Sequence, residues 1–220
     1  MKKIDCRGFC KSDISDASGC DIPQAALAEI VGALKHGDVI VYPSDTIYCL
    51  GADIYDEQAI KKVFMIKKRP FDMPISVCVQ NAKAASAVGF INKTARKLLD
   101  AFTPGPLIVL VDKREDVPDL LTAGSTTVGI RIPDFPLALK ILEEFGPITS
   151  ASANIHSRKN AVTVNTCIKD FGDRVSLYLD SGKTRYGMQS TIVDATDDDI
   201  RVVREGPIEN RRIEDFLATV

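Results

Sequence analysis

Lys67-Lys68-Arg69-Pro70 and Ser152-Ala153-Asn154 are the segments of this 220-residue chain whose residue types and spacing point to chemistry. A guanidinium chelates phosphate oxygens through its planar fork, and an ammonium acts as a mobile point charge. Two cations halted at a proline can therefore grip an anion from a fixed helix end. Ser and Asn add neutral hydrogen bonds, and the combination reads as a polyphosphate site. Plainer readings stand beside this one. A basic helix end before proline also complements the helix dipole, and an Asn in a turn often bonds its own backbone. Arg131 lies between Ile130 and Ile132, where an unpaired guanidinium is costly. It must face a polar cavity, with an anionic ligand as its partner, or an Asp or Glu of the chain itself. Thr46 and Ser190 offer hydroxyls that can read a small amino acid or merely satisfy backbone groups.

These residues need elements to hold them. Ala26, Leu27, Ile30, Val31 and Leu34 recur at helical spacing and predict a helix from Pro23 to His36, with Asp21 near its cap and Gly37 beyond its end. Val39-Ile40-Val41-Tyr42 suits a strand covered on both faces and ended by Pro43. A second helix runs from Asp56 to Lys67, with Asp56 as N-cap and Ile60, Val63 and Phe64 inward. Pro70 forbids its continuation, so Lys67 and Arg69 are expected at an exposed helix exit. Further strands are read at 75–79, 107–111, 128–132, 175–179 and 191–193, and helices at about 92–102 and 135–145. The Asp197-Asp198-Asp199 turn predicts an antiparallel hairpin. Alternating strands and helices argue for an α/β fold with a large twisted mixed sheet and flanking helices. Gly182, Lys183, Arg185 and Gly187 read as a mobile basic loop, a candidate lid. The first twenty residues read as an irregular extension or a short edge strand.

Composition narrows the function classes. A hydrophobic content of 45% over this length supports one large core. The formal charge of −2 gives no global attraction to nucleic acid, so RNA contact would need a local patch such as Lys61, Lys62, Lys67, Lys68 and Arg69. Cys6, Cys10, Cys20, Cys49, Cys78 and Cys167 are dispersed in a chain large enough to fold without staples, so a reducing cytoplasm is expected. Cys6, Cys10 and Cys20 with Asp5, Asp13 and Asp16 lack the Cys-x-x-Cys and histidine spacing of a zinc site. No metal ligand is assigned. His36 and His156 lack hydrolase motifs, and no Walker A loop or dinucleotide fingerprint occurs. No stretch reaches the roughly 18 apolar residues of a membrane span.

Five ordered motifs carry a resemblance. Val41-Tyr42-Pro43-Ser44-Asp45-Thr46-Ile47-Tyr48-Cys49-Leu50-Gly51 precedes Lys67-Lys68-Arg69-Pro70. Thr127-Val128-Gly129-Ile130-Arg131-Ile132-Pro133, Ser152-Ala153-Asn154, and Ser190-Thr191-Ile192-Val193-Asp194 before Val203-Arg204-Glu205-Gly206-Pro207 follow. In order and spacing, from about residue 22 to about residue 208, the chain resembles the threonylcarbamoyl-AMP synthase, or YrdC-like, family. The resemblance implies a YrdC-like open-sheet domain over 22–208 with a concave basic cavity, preceded by an extension at 1–21 and followed by a tail at 209–220, which can be helical. It implies an enzyme that uses ATP, bicarbonate and L-threonine to make threonylcarbamoyl-AMP and pyrophosphate for tRNA modification, in the cytoplasm. Mg2+ would ride on the ATP phosphates without protein ligands. Catalytic roles carry over to Lys67 and Arg69. Nucleotide contacts carry over to Arg69, Thr127, Ser152, Asn154, Asn160 and Arg204, and threonine contacts to Thr46, Arg131, Ser150 and Ser190. Downstream tRNA machinery, and tRNA or double-stranded RNA itself, are the implied partners. Cys49, Met73 and Cys78 depart from the family's usual Gly, Asn and His, and at the last two a soft apolar group replaces a polar contact. Two rivals remain: an RNA- or nucleotide-binding module without catalysis, and a carbamoyl-adenylate-forming carbamoyltransferase. Pyrophosphate release from ATP with threonine and bicarbonate separates the enzyme from the first, and replacing those two substrates with carbamoyl phosphate separates it from the second.

Overall fold

A computed structural model describes residues 1–10, 17–197 and 199–219. In chain order its elements are β1 (Lys2–Asp5), α1 (Gln24–Lys35), β2 (Ile40–Tyr42), β3 (Cys49–Gly51), α2 (Glu57–Lys67), β4 (Val77–Cys78), α3 (Ala82–Val88) and α4 (Lys93–Phe102). There follow β5 (Leu107–Asp112), α5 (Asp119–Thr122), β6 (Thr127–Arg131), α6 (Pro136–Phe145), β7 (Ile148–Thr149) and β8 (Ala151–Ser152). The chain closes with α7 (Val164–Phe171), β9 (Leu177–Asp180), β10 (Thr191–Asp194), β11 (Arg201–Arg204) and α8 (Asn210–Leu217).

Strand alternation builds two cores. Ile40 and Tyr42 of β2 face one apolar cluster with α1, α6, Leu177 and Leu179, while Val41 faces the other with α2 and Tyr178. Successive side chains point to opposite faces, so an unbroken apolar run marks a strand covered on both sides, as its sequence predicts.

The strands form two mixed sheets, β1-β9-β2-β3-β8 and β11-β10-β5-β6-β4-β7, where one large sheet is expected from sequence. The two are nearly continuous. The chain passes from β7 through Ser150 into β8, Asp53 bridges to Ile148, and Thr149 donates its N–H to the Ala52 carbonyl at 2.9 Å. Because β7 and β8 are two residues each, the ladder breaks where Ser150 turns from one sheet to the other. That break opens one wall of the site.

Local chemistry explains the element ends. The Asp56 carboxylate accepts from the backbone N–H groups of Gln58 and Ala59, capping α2 as its sequence predicts. Lys68 ends that helix in a left-handed conformation, φ 51°, and Pro70 prevents resumption. At α1 the expected cap is displaced: Pro23, not Asp21, precedes the first turn and no side chain caps it. The hairpin forms, with β10 antiparallel to β11; Asp198 at its turn lies outside the described residues. The N-terminal segment is not a detached extension, since β1 pairs in parallel with β9 at the sheet edge. Cys10 and Cys20 are joined as a disulfide, against the expectation of wholly reduced cysteines. Among the described residues no His, Cys, Asp and Glu cluster could hold a metal; Asp13 and Asp16 fall outside them. The tail is helical: α8 buries Ile213 fully and sets Phe216 edge-on against Phe102, with centroids 5.2 Å apart.

Candidate functional site

Register places two arginines on one row. Ile192 pairs with Arg204 and with Ile108, and Ile108 pairs with Arg131, which in turn pairs with Cys78. Residues paired across adjacent strands point to the same face, so Arg204 and Arg131 stand three strands apart over a floor of Ile192 and Ile108. At about 4.8 Å per strand the two backbones are roughly 14 Å apart. Both arginines end their strands on the same edge of the sheet. Four side chains thus become one surface through pairing alone.

Over this row lies a cavity of about 140 Å3, lined by Thr46, Cys49, Arg69, Ser76, Ser150, Ser152, Gln189 and Ser190 besides the four row residues. Its lining contains three arginines and no carboxylate. Sites that enclose a drug-sized ligand run to roughly 300–1,000 Å3, so the enclosed part has room for a small molecule only, and a larger ligand would extend through the mouth.

Arg69 reaches the mouth from the turn after α2, its Nε donating to the Met73 carbonyl at 3.1 Å and its Nη2 to the Pro74 carbonyl at 2.8 Å. Met73 thus contributes a backbone oxygen while its side chain is partly exposed. Arg204 donates from Nε and Nη2 to the Ser190 carbonyl, at 3.0 and 2.8 Å, and from Nη1 to Gln189 Oε1 at 2.5 Å. Burial holds the pKa of Arg69 and of Arg204 below the ordinary value, and the charges of Arg131 and Arg69 push Arg204 further the same way. These cations lie within electrostatic reach of one another, and the arrangement favours an anion between them.

Arg131 has an acidic partner within the protein. Its Nη2 donates to Asp45 Oδ1 at 2.6 Å, with the two side chains 2% and 0% exposed. Burial opposes the Arg131 charge, but the Asp45 carboxylate beside it leaves its pKa raised overall. Asp45 Oδ1 also accepts the Asp134 N–H at 3.2 Å, while Arg131 Nε has no partner. Arg131 therefore has the acidic partner within the chain that the sequence offers as one alternative, and it also lines the cavity.

Lys67 departs from expectation. It is 1% exposed, not at an exposed helix exit, and its ammonium donates to the Ser152 carbonyl, to Ser152 Oγ at 3.2 Å and to the Asn154 carbonyl at 2.9 Å. The two motifs singled out in the sequence meet here, but as protein to protein. Burial, with some repulsion from Arg69, lowers the Lys67 pKa to about 8. Asn154 turns its Nδ2 to the carbonyls of Ile155 and Arg158 and leaves Oδ1 buried without a partner.

Ser152, Ser150, Thr46 and Ser190 all line the cavity. The Thr46 hydroxyl lies 3.0 Å from Ser44 Oγ, in a turn that Ser44 closes by bonding the Ile47 backbone. Asn160 sits one residue back, accepting from Gln189 Nε2 at 3.0 Å. Thr127 is not brought in. It begins β6, four residues and roughly 13 Å from Arg131, where its hydroxyl meets Ser125 Oγ at 2.9 Å. Cys78 is fully buried beneath the cavity, whereas Cys49 is in its wall, where burial lifts the thiol to about 11. Sequence reasoning missed Asp45, Ser76, Gln189 and the two isoleucines. Asp45 lay inside a quoted motif, but only the fold brings it to Arg131 across 86 positions.

The 181–189 loop is a strap, not a loose lid. Thr184 donates its N–H to the Val162 carbonyl, Tyr186 to Asp45 and Gly187 to Thr46.

A family model described as Sua5, YciO and YrdC, telomere recombination, matches residues 32–206. A Methanocaldococcus jannaschii protein provisionally named threonylcarbamoyl-AMP synthase is 34% identical over 180 residues, 82% of this chain and 85% of the relative. The structure of P. abyssi Sua5 complexed with L-threonine superposes with a TM-score of 0.89 at 29% identity, over 99% of this chain. This chain spans 61% of that one. E. coli YciO superposes with a TM-score of 0.81 at 25% identity, covering 96% of this chain and 97% of its own.

Proposed function

The chain belongs to the Sua5/YciO/YrdC family, and from that premise we propose that it is an L-threonylcarbamoyladenylate synthase, a nucleotidyltransferase serving tRNA threonylcarbamoyladenosine formation in the cytoplasm. The observation that carries this reading is the row that holds Arg204 and Arg131 on one apolar floor, with Arg69 closing the mouth.

The reaction needs three things. Bicarbonate condenses with the threonine amine to a carbamate, with loss of water. A carbamate oxygen then attacks the α-phosphorus of ATP, and the bond to the pyrophosphate oxygen breaks. The protein must hold two anions together and neutralise charge that moves onto the leaving group. Arg131 is fitted to the threonine carboxylate, because Asp45 fixes its orientation from outside the cavity. Thr46, Ser150 and Ser190 are within reach of the same ligand's ammonium and hydroxyl. Arg69 and Arg204, at the mouth, are fitted to the phosphates, with Ser152 beside them. Lys67 acts one step back, since its bonds to Ser152 and Asn154 hold that turn in place. Thr127 is left without a ligand role, and Asn160 acts through Gln189.

Mg2+ belongs to this proposal only as the companion of ATP. The lining offers it no carboxylate, and no step is routed through it. No helix of the described residues is long and apolar enough to cross a membrane.

The test is pyrophosphate release from ATP, with the adenylate identified by mass. Release that requires both L-threonine and bicarbonate is the expected result. No release, or release driven instead by carbamoyl phosphate, would overturn the assignment.

A further inference from the structure

Gln189 lines the cavity and joins Arg204 to Asn160. Its Oε1 accepts from Arg204 Nη1 at 2.5 Å, and its Nε2 donates to Asn160 Oδ1 at 3.0 Å. A guanidinium has donors only, so the amide must turn its oxygen to Arg204 and its nitrogen away. Asn160 supplies the acceptor on that far side and fixes this orientation. The three residues come from separate segments: Asn160 follows β8, Gln189 ends the strap, and Arg204 is the last residue of β11.

The other bonds of Arg204 show what this contact adds. Nε and Nη2 both donate to one atom, the Ser190 carbonyl oxygen, and two bonds to a single point leave the guanidinium free to pivot about it. The bond to Gln189 is a second point, and it fixes the plane of the fork. Of the five N–H donors of an arginine, these bonds use three, one on Nε and one on each terminal nitrogen. One N–H on each terminal nitrogen is left for a ligand, and arginine N–H groups in a fixed plane suit phosphate oxygens. The holding groups are a carbonyl and an amide, which leave the charge intact, in contrast to the Asp45 carboxylate on Arg131.

We propose that Gln189 is a positioning residue for the nucleotide: it sets the guanidinium plane of Arg204 toward the phosphates, and Asn160 locks the Gln189 amide. This rests on the assignment of Arg204 to ATP under the proposed function.

The test is calorimetric titration of the full chain with α,β-methylene-ATP, whose α–β bridge does not break, so that binding is read without turnover. Gln189→Met keeps the length of the side chain and removes both polar groups at a partly exposed position. It weakens the analogue about tenfold, the scale of one lost bond to a charged group, and leaves L-threonine affinity unchanged. Asn160→Leu weakens the analogue in the same direction and by no more. In an Arg204→Ala background, adding Gln189→Met has no further effect, because the group it positions is gone. No binding of the analogue to the unaltered chain, unchanged affinity in Gln189→Met, an equal loss for L-threonine, or an additive loss in the Arg204→Ala background would each overturn the role. Failure of the synthase reading is distinct: the unaltered chain would then release no pyrophosphate while these binding differences persist.

Discussion

Arg69 and Arg204 both line the cavity, each held by backbone carbonyls that leave its charge unneutralised. Removing either should lower pyrophosphate release by about 100-fold, the scale of a lost transition-state donor, with circular dichroism unchanged. Unaltered turnover in both variants would remove the charge-neutralising role. Asp45 and Arg131 form a buried pair in which loss of one partner leaves an uncompensated charge, so Asp45→Asn should destabilise by roughly 3–5 kcal/mol. It should also raise the threonine requirement more than the ATP requirement, as Arg131→Ala should; a double-mutant cycle showing independent effects would sink the coupling. Lys67 supplies a pH signature. Its folded pKa of about 8 lies below the ordinary 10.5, so the folded state sheds this proton first. Between those values the group's contribution to stability rises with pH. Activity should move the other way, falling as pH passes about 8 and the ammonium clamping Ser152 and Asn154 loses its charge. Lys67→Arg, if the turn accepts it as judged by an unchanged melting temperature, should abolish that limb in a pH–rate profile.

Elements set the distances between these residues, and the pairing of β10, β5 and β6 matters more than any one side chain. A slip of one residue would turn Arg131 or Arg204 to the other face. The junction after β11 is the tightest point in that arrangement. A Cβ on Gly206 would collide with the Gln189 carbonyl, the Thr191 nitrogen and the Ser190 carbon, all backbone. Rigid backbone cannot yield as a side-chain tip does, so Gly206→Ala must push β11 away from Ser190 at a cost of about 1–3 kcal/mol. Differential scanning calorimetry should show a melting temperature lower by several degrees, together with weaker threonine use, because Arg204 and Ser190 separate. An unshifted melting curve would mean that the junction has slack. The α2 exit is the contrasting case. Asp56, Lys68 and Pro70 mark the helix ends with local signals, and the structure follows them. Those signals do not say which way Lys67 points.

At the scale of the molecule, both chain ends are part of the fold: β1 extends one sheet and α8 covers Phe102. A chain ended at Ile208 loses the buried Ile213 and the Phe216 contact, each worth roughly 1.5–3 kcal/mol. Its melting temperature should fall by about 10 °C, and an unchanged value would show that the tail is dispensable. The α/β class, most strands and the main helices were legible in the amino-acid order because hydrophobic period and capping act over a few residues. The five motifs likewise contain Thr46, Arg69, Arg131, Ser152, Ser190 and Arg204, and the family resemblance adds Ser150; all of them share one cavity. Burial of Lys67, the Asp45 partner of Arg131, the distance of Thr127 and the split into two sheets were not legible. Each depends on segments far apart in the chain meeting at a given register and angle, and neither composition nor local spacing carries that information.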